Sequence, residues 1–206
     1  GKIHHYSEPS FPGLRIDSGI NSAGEIFPDF DPLISKIIAT ASSREEAIRL
    51  MCRALRNYSV AGVVTNREFL LNLMDDEDFI QNRVSTTWLE KTRNRILEKQ
   101  RARREEINKE VIFAAWLAKN LFTNSGRSDD PWHIVGYWRH QVRKSFSYDG
   151  NQFDIHVNER KKNSFTMIFN ERQYDIQLRS LNKNKIMFLL DGSWNCAKVV
   201  SGEDIE

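Results

Sequence analysis

Residues 29–73 read DFDPLISKIIATASSREEAIRLMCRALRNYSVAGVVTNREFLLNL. Their pattern predicts a strand, a capped helix, a tight turn and a second capped helix. Isoleucines at 34, 37 and 38 form the strand-like run, and a pair of serines then stands three positions before a pair of glutamates, so either serine can open a capping box. Apolar residues continue at helical spacing until Gly62 breaks the pattern, and Thr65 with Glu68 predicts the second capping box.

The bulk composition is that of an ordinary soluble globular protein. The 206 residues suit one or two domains, with 40% hydrophobic and 28% charged residues. A net charge of +2 gives no global field that would favour nucleic acid or an anionic membrane. Cys52 lies on an apolar helix face, where a small buried hydrophobe is expected, and two scattered cysteines fit a reducing compartment. No apolar run approaches the ~20 residues that cross a bilayer, and the first residue is glycine, so we expect an excised fragment.

The second half of the chain predicts an apolar helix followed by one-sided strands. Residues 111–118 are eight consecutive apolar residues, so a helix over about 105–122 is apolar on every side and should be enclosed. Apolar and polar residues then alternate over about 140–200, with hairpin turns at Asp149-Gly150 and Asp191-Gly192. At least six short antiparallel strands result. The sequence therefore predicts an α+β fold whose second part is an antiparallel β-barrel wrapped around a long central helix.

Residues 91–104 form a basic segment with seven Lys or Arg and a single acid. A nucleic-acid-binding module is one interpretation of such a run. It is weakened by the lack of interleaved aromatic residues, by the glutamates just downstream and by the small net charge. A solvated linker or helix start between two domains is the default interpretation.

Several short motifs carry a resemblance to a known family. In chain order they are PGLRIDSG at 12–19, FDPLISK at 30–36, REEA at 44–47 and GVVTNREFL at 62–70. In this order and spacing they resemble the C-terminal subdomain of biotin carboxylase, the component that carboxylates biotin with ATP and bicarbonate in multidomain carboxylases. The resemblance implies that residues 1–90 are this subdomain without its nucleotide-binding part.

The second half resembles the mediator domain of propionyl-CoA and 3-methylcrotonyl-CoA carboxylases, a long helix surrounded by an antiparallel barrel. The resemblance assigns residues 105–206 to that domain, with 91–104 as the junction. Asp130-Pro131-Trp132 and Trp138-Arg139 are most similar to the 3-methylcrotonyl-CoA group. Trp132, Trp138 and Arg139 are therefore candidates for contacts at the subunit junction, and core packing is the alternative for the two tryptophans.

Four charged residues lie within or beside otherwise apolar strand segments: Arg15, Asp17, Asp31 and Lys36. One interpretation is a polar cluster that faces a subunit interface or the catalytic domain. The other is an internal ion-pair network that ties short strands together. The resemblance implies that Arg15 and Asp31 lie towards a dimer surface.

The chemistry of the family is expected elsewhere. The sequence has no glycine-rich nucleotide lid, no Ala-Met-Lys-Met biotinylation turn and no metal-ligand spacing, so no catalytic, cofactor or metal residue is predicted. ATP, Mg and biotin are implied for the parent enzyme only, a ligase in the cytoplasm or the mitochondrial matrix. Its implied partners are a carboxyltransferase subunit and its own N-terminal and biotinyl domains. A free-standing interaction module of the same fold is the alternative.

Overall fold

The computed structural model describes residues 1–20, 24–27, 29, 31–123, 142–148, 150–161, 163–182 and 185–200. Two compact units emerge, one built on Gly1–Ile107 and the other on Asn108–Val199. The first unit mixes short strands with helices. The second consists of a six-stranded antiparallel sheet with one helix packed on it.

Short strands in the first unit are paired two by two, always antiparallel. The pairs are β1 (Lys2–Ile3) with β4 (Gly24–Glu25), β2 (His5–Ser7) with β6 (Ser59–Ala61), and β3 (Leu14–Ser18) with β5 (Ser35–Ala39). Gly62 follows β6 with φ 110°, and a Cβ there would lie 2.2 Å from the backbone oxygen of Lys2. The predicted break at this glycine is therefore a close backbone approach that excludes any side chain.

The first predicted helix is confirmed, including its cap. Helix α1 (Arg44–Asn57) begins after Ser43, whose side chain accepts a hydrogen bond from the backbone N–H of Glu46. Cys52 is buried on its inner face, as expected.

The second predicted capping box is wrong. Helix α2 (Arg67–Met74) has Asn66 at its N-cap, without a side-chain cap hydrogen bond. The carboxylate of Glu68 accepts hydrogen bonds from Arg104 and Gln100 instead. This tertiary contact engages the carboxylate that the capping box would have used.

The basic segment 91–104 lies inside a regular helix rather than a linker. A short helix α3 (Glu77–Ile80) precedes α4 (Trp88–Glu105), and α4 carries the whole basic run. Ile96 anchors α4, being buried to 2% exposure. Helix α4 ends at Glu105 and the next helix begins at Lys109, so the predicted helix over 105–122 starts later than expected.

The second unit is helix α5 (Lys109–Thr123) and a curled sheet of half-barrel form. The strands follow one another in a simple meander: β7 (Val142–Tyr148), β8 (Asn151–Lys161), β9 (Ser164–Phe169), β10 (Arg172–Asn182), β11 (Lys185–Leu190) and β12 (Ser193–Lys198). The hairpin turn predicted at Asp191-Gly192 is present, since Leu190 pairs with Ser193. Tyr148 pairs with Asn151 beside the other predicted turn, whose Asp149 lies outside the described residues. Asp191 and Gly192 both have positive φ, as a type I′ turn requires.

Every second residue of the central strands enters one core with α5. Strand β9 shows the alternation clearly, with Phe165, Met167 and Phe169 buried. Phe113 of α5 lies at the centre, with ring centroids 5.0 Å from Phe146, 5.5 Å from Phe153 and 5.2 Å from Phe169. The apolar sequence of α5 is thus explained by packing against the inner face of the sheet.

The expectation that α5 is enclosed on every side is wrong at Trp116. Phe113 is 2% exposed, but Trp116 is 37% exposed and packs by its edge on Phe146, at 4.7 Å between ring centroids. Among the described residues β7 and β12 are the two ends of the sheet order and do not pair with each other. The described strands therefore form a half-barrel on α5, and a closed barrel stays a prediction.

Candidate functional site

The β3–β5 hairpin carries a charged face on its solvent side. Arg15 and Asp17 are exposed residues of β3, alternating with half-buried Leu14, Ile16 and Ser18. Lys36 of β5 stands directly opposite Asp17 in the antiparallel register. We call Arg15, Asp17 and Lys36 the charged face.

A short ion pair organises the charged face. Arg15 Nε donates to Asp17 Oδ1 at 2.8 Å. This hydrogen bond raises the pKa of Arg15 and lowers the pKa of Asp17, and Lys36 lowers the pKa of Asp17 further. Arg15 and Asp17 are therefore both charged near neutral pH, in an arrangement suited to contact with another charged or polar surface.

The charged face is a surface feature and not the internal network that was one interpretation of it. The side chain of Arg15 is 74% exposed and that of Asp17 is 45% exposed. Exposed ion pairs of this kind contribute little to stability because water screens them. Asp31 makes a separate local turn, in which its Oδ1 accepts from the N–H of Leu33 at 2.9 Å.

A cluster of hydroxyl groups supports β3 from its other side. Tyr58 is the C-cap residue of α1, and its hydroxyl oxygen lies 2.7 Å from that of Ser35 and donates to the hydroxyl of Tyr6 at 3.2 Å. The hydroxyl oxygens of Tyr6 and Ser18 lie 2.5 Å apart. Both of these hydroxyl groups donate to the carboxylate of Glu8. Burial and the bond to Glu8 hold the pKa of Tyr6 well above its ordinary value. The cluster joins β2, β3, β5 and α1. Sequence reasoning missed it, because no local pattern links residues so far apart.

The basic helix α4 is partly neutralised by carboxylates of the same unit. Arg95 donates to Asp76 at 2.7 Å, Arg103 to Asp75 at 3.1 Å, and Arg104 to Glu68 at 2.7 Å. Partial burial pushes the pKa of Glu68 up, but the bonds from Arg104 and Gln100 outweigh it and the pKa is lowered overall. These cations fasten α4 onto α2 and α3. Because these three arginines are paired with carboxylates, the basic segment is poorly suited to binding the phosphates of a nucleic acid.

In the part of the chain that the structure describes, no group of three or more His, Cys, Asp or Glu side chains is placed to hold a metal ion. No helix there has the length and apolar character that crossing a bilayer requires. The predicted junction residues Trp132, Trp138 and Arg139 lie outside the described residues.

The family model for the biotin carboxylase C-terminal domain matches residues 1–91. These residues include the charged face and the hydroxyl cluster. Residues 1–91 are a biotin carboxylase C-terminal domain. The human mitochondrial propionyl-CoA carboxylase alpha chain is 39% identical to this chain over 90 residues, and the alignment covers 43% of this chain and 12% of the human one. The resemblance stated for the motifs between Pro12 and Leu70 is confirmed.

A further relative extends the similarity beyond this biotin carboxylase C-terminal domain. The mitochondrial methylcrotonoyl-CoA carboxylase subunit alpha of Dictyostelium discoideum is 26% identical over 163 residues, covering 77% of this chain and 23% of that subunit. An alignment of that length must reach into the second unit. The matched part of this chain thus spans only about an eighth to a quarter of the length of these two relatives.

Solved structures give similar matches. The biotin carboxylase domain of a single-chain bacterial carboxylase has 25% identity and a TM-score of 0.47 over 50% of this chain and 24% of that one. The biotin carboxylase domain dimer of Hydrogenobacter thermophilus 2-oxoglutarate carboxylase has 34% identity and a TM-score of 0.45 over 47% of this chain and 21% of that one.

Proposed function

We propose that this chain is a non-catalytic portion of the biotin carboxylase subunit of an acyl-CoA carboxylase. The whole protein would carboxylate biotin with ATP and bicarbonate, and its partner would pass the carboxyl group to an acyl-CoA. One observation carries the proposal: the similarity to a methylcrotonoyl-CoA carboxylase alpha subunit runs through both units of the chain. Such an enzyme would work in the cytoplasm or the mitochondrial matrix.

In this proposal the first unit supports the biotin carboxylase fold. Its charged face would contact either the catalytic part of the subunit or a second subunit. The hydroxyl cluster would keep β3 fixed, so that Arg15 and Asp17 are presented in one orientation. The exposure of this ion pair supports a contact role, since a pair that is open to solvent adds little to the fold itself.

The second unit would be a mediator domain that docks the subunit onto a carboxyltransferase subunit. Its apolar helix on the inner face of an antiparallel sheet is compatible with the helix-and-barrel form expected of such a domain. Contacts by Trp132, Trp138 and Arg139 at the junction stay a prediction.

ATP, Mg and biotin would be held by other parts of the whole protein. We place them there because the sequence has no glycine-rich nucleotide lid and no Ala-Met-Lys-Met biotinylation turn. No step of the carboxylation is therefore assigned to a residue of this chain.

The division of labour can be tested with two proteins. The protein at the full length that its gene encodes should show bicarbonate-dependent ATP cleavage with biotin, whereas the 206-residue chain should show none. Activity in the 206-residue chain would contradict the proposal. Deleting residues 108–199 from the full-length protein should abolish co-purification with the carboxyltransferase subunit and leave biotin carboxylation in place. Unchanged co-purification would exclude a docking role for the second unit.

The charged face has its own test in the full-length protein. Arg15→Ala should lower either biotin carboxylation or subunit assembly, measured by ATP cleavage and by light scattering. Lys91→Ala on α4, which also removes an exposed cation, is the matched control and should change neither. An Arg15→Ala protein that is normal in both assays would remove the charged face from the proposal.

A further inference from the structure

A polar groove crosses the outer face of the sheet in the second unit. Phe165 of β9 and Ile176 of β10 stand opposite each other with their side chains in the core, so their backbone forms the floor of the groove. Because side chains alternate between the two faces of a sheet, the residues on either side of this pair point outward. The first wall is a continuous cross-strand row of Lys161, Ser164, Gln177 and Leu189. The second wall consists of Thr166, Asp175 and Gly192.

The polar groove lies over the central strands of the sheet. Strand β9 pairs with β8 and β10, and β10 pairs with β9 and β11, so the backbone groups of the floor are already used within the sheet. A ligand in the polar groove must therefore bond to side chains. Further strands that closed a barrel by pairing with β7 and β12 would leave the polar groove unchanged.

The side chains of the polar groove offer hydrogen-bond donors and acceptors close together. Ser164 and Thr166 each carry a hydroxyl group, which can donate and accept, and Gln177 carries an amide with two N–H donors and an acceptor oxygen. Asp175 adds a carboxylate acceptor. Its backbone N–H donates to Asp191 Oδ1 at 2.8 Å, and its backbone oxygen accepts from the N–H of Asp191 at 3.0 Å. The second wall is therefore held in place before a ligand arrives.

The charge and size of the polar groove limit the class of ligand. Among the described residues that line it, Lys161 and Asp175 carry charge, and their two signs cancel. A ligand with a net charge is therefore not favoured. The volume of about 510 Å³ lies within the range of about 300–1,000 Å³ that small-molecule sites have. The first wall continues past Leu189 to Trp194, which is 61% exposed and offers a flat apolar surface at the end of the polar groove.

We propose that the polar groove binds a neutral, linear oligosaccharide. The hydroxyl groups of a sugar both donate and accept, which matches Ser164, Thr166 and Gln177, and the C–H faces of its rings match the apolar surfaces of Leu189 and Trp194. An extended peptide is the less suitable occupant, since both edges of β9 and of β10 are already paired. The exposed residues of β10 leave the polar groove open to solvent, so we expect affinity in the millimolar range. This site is separate from the proposed carboxylase role, and the failure of either leaves the other standing.

The test titrates the isotope-labelled 206-residue chain with maltotriose and, separately, with cellotriose, two neutral trisaccharides that differ only in linkage. In two-dimensional NMR spectra, at least one of them should shift the backbone amides of β9 and β10 in a saturable way and leave those of α1 unchanged. Gln177→Ala should weaken this binding about fivefold, as the loss of one hydrogen bond predicts. Gln152→Ala is the matched control, because Gln152 is an exposed glutamine of β8 outside the lining of the polar groove, and it should bind as the wild type does.

Charged sugars of the same length test the balance of charge in the polar groove. Trigalacturonate and a trimer of glucosamine should each bind the wild type more weakly than the neutral trisaccharides do. Asp175→Asn keeps a polar side chain but makes the lining net positive, so it should strengthen the binding of trigalacturonate. Three results would overturn the proposal: no saturable shift with either neutral trisaccharide, equal effects of Gln177→Ala and Gln152→Ala, or tighter binding of a charged trimer or of the uncharged peptide acetyl-Gln-Ser-Gln-amide by the wild type.

Discussion

Replacing Phe113 with alanine tests whether α5 supplies the core of the second unit. Phe113 is 2% exposed and lies within 5.0 to 5.5 Å, between ring centroids, of three phenylalanines on β7, β8 and β9. The substitution removes the ring from the contact point of the helix with three strands. Phe146, Phe153 and Phe169 would then surround a cavity.

The expected loss of stability follows from the buried area. A buried aromatic side chain covers about 150–250 Å², which at about 25 cal/mol per Å² amounts to roughly 4–6 kcal/mol. This is an upper bound, because the unfolded chain already buries part of that surface. Measured Phe→Ala substitutions in cores fall at about 3–5 kcal/mol, and we expect Phe113→Ala to lie in that range. A unit of this size should then melt at least about 12 °C lower.

Urea unfolding and hydrogen exchange of the 206-residue chain measure this effect. The loss should appear in the peptides of β8 to β11, which line the core with α5. Phe27→Ala is the matched control, since Phe27 is 52% exposed in the first unit. Its effect should stay within about 0.5 kcal/mol. If the two variants lose similar amounts, α5 is not the core of the sheet, and the basis for a mediator-like second unit disappears.

Three other substitutions or reagents probe single features. Gly62→Ala should lower the free energy of unfolding by more than about 1 kcal/mol, because the added Cβ would clash with the backbone oxygen of Lys2. Gly24→Ala is the control in the same urea titration and should change the free energy of unfolding little, because the space around Gly24 is open. Glu68→Gln should lower stability at pH 7 by less than about 1 kcal/mol, since the ion pair is partly exposed. The folded-state pKa of Glu68 is lowered, so this contribution is present above the unfolded pKa of ~4.3 and lost as pH falls through the folded value; an unchanged difference from wild type at pH 3 would contradict it. A thiol reagent at pH 8 should label exposed Cys196 at once and Cys52 only in urea, because burial raises the pKa of Cys52 and shields it; two fast thiols would contradict this.

Local signals predicted the elements whose causes are local. Ser43 caps α1, and the Asp191-Gly192 turn joins β11 to β12, because each depends on residues within a few positions. The equivalent turn at Asn170-Glu171 joins β9 to β10 with positive φ at both residues and no glycine. A type I′ turn without glycine has no clear sequence signature, so this hairpin was predicted only through the alternation of its strands.

Elements determined by distant partners could not be predicted. The box expected at Thr65 and Glu68 fails because Glu68 pairs with Arg104 on a helix 36 positions away. The basic run on α4 is partly neutralised by the same kind of distant pairing, at Arg95, Arg103 and Arg104, which composition does not reveal. For the candidate site, the sequence indicated four charged residues as a cluster: Arg15, Asp17, Asp31 and Lys36. Asp31 instead forms a local turn with Leu33, and neither the exposure of the other three nor the hydroxyl groups behind them follows from the order of residues.

The meander of the second unit has a consequence for its synthesis. Helix α5 precedes all the strands that cover it, and β11 ends 67 residues later (190 − 123). Ribosomes add about 5–20 residues per second, so roughly 3–13 seconds pass between the synthesis of the end of α5 and the synthesis of the end of β11. During that interval the nascent chain displays a surface that chaperones recognise. We expect the yield of soluble protein to depend on translation speed and on holdase supply more than on the stability of the finished fold, which expression at reduced elongation rate would measure.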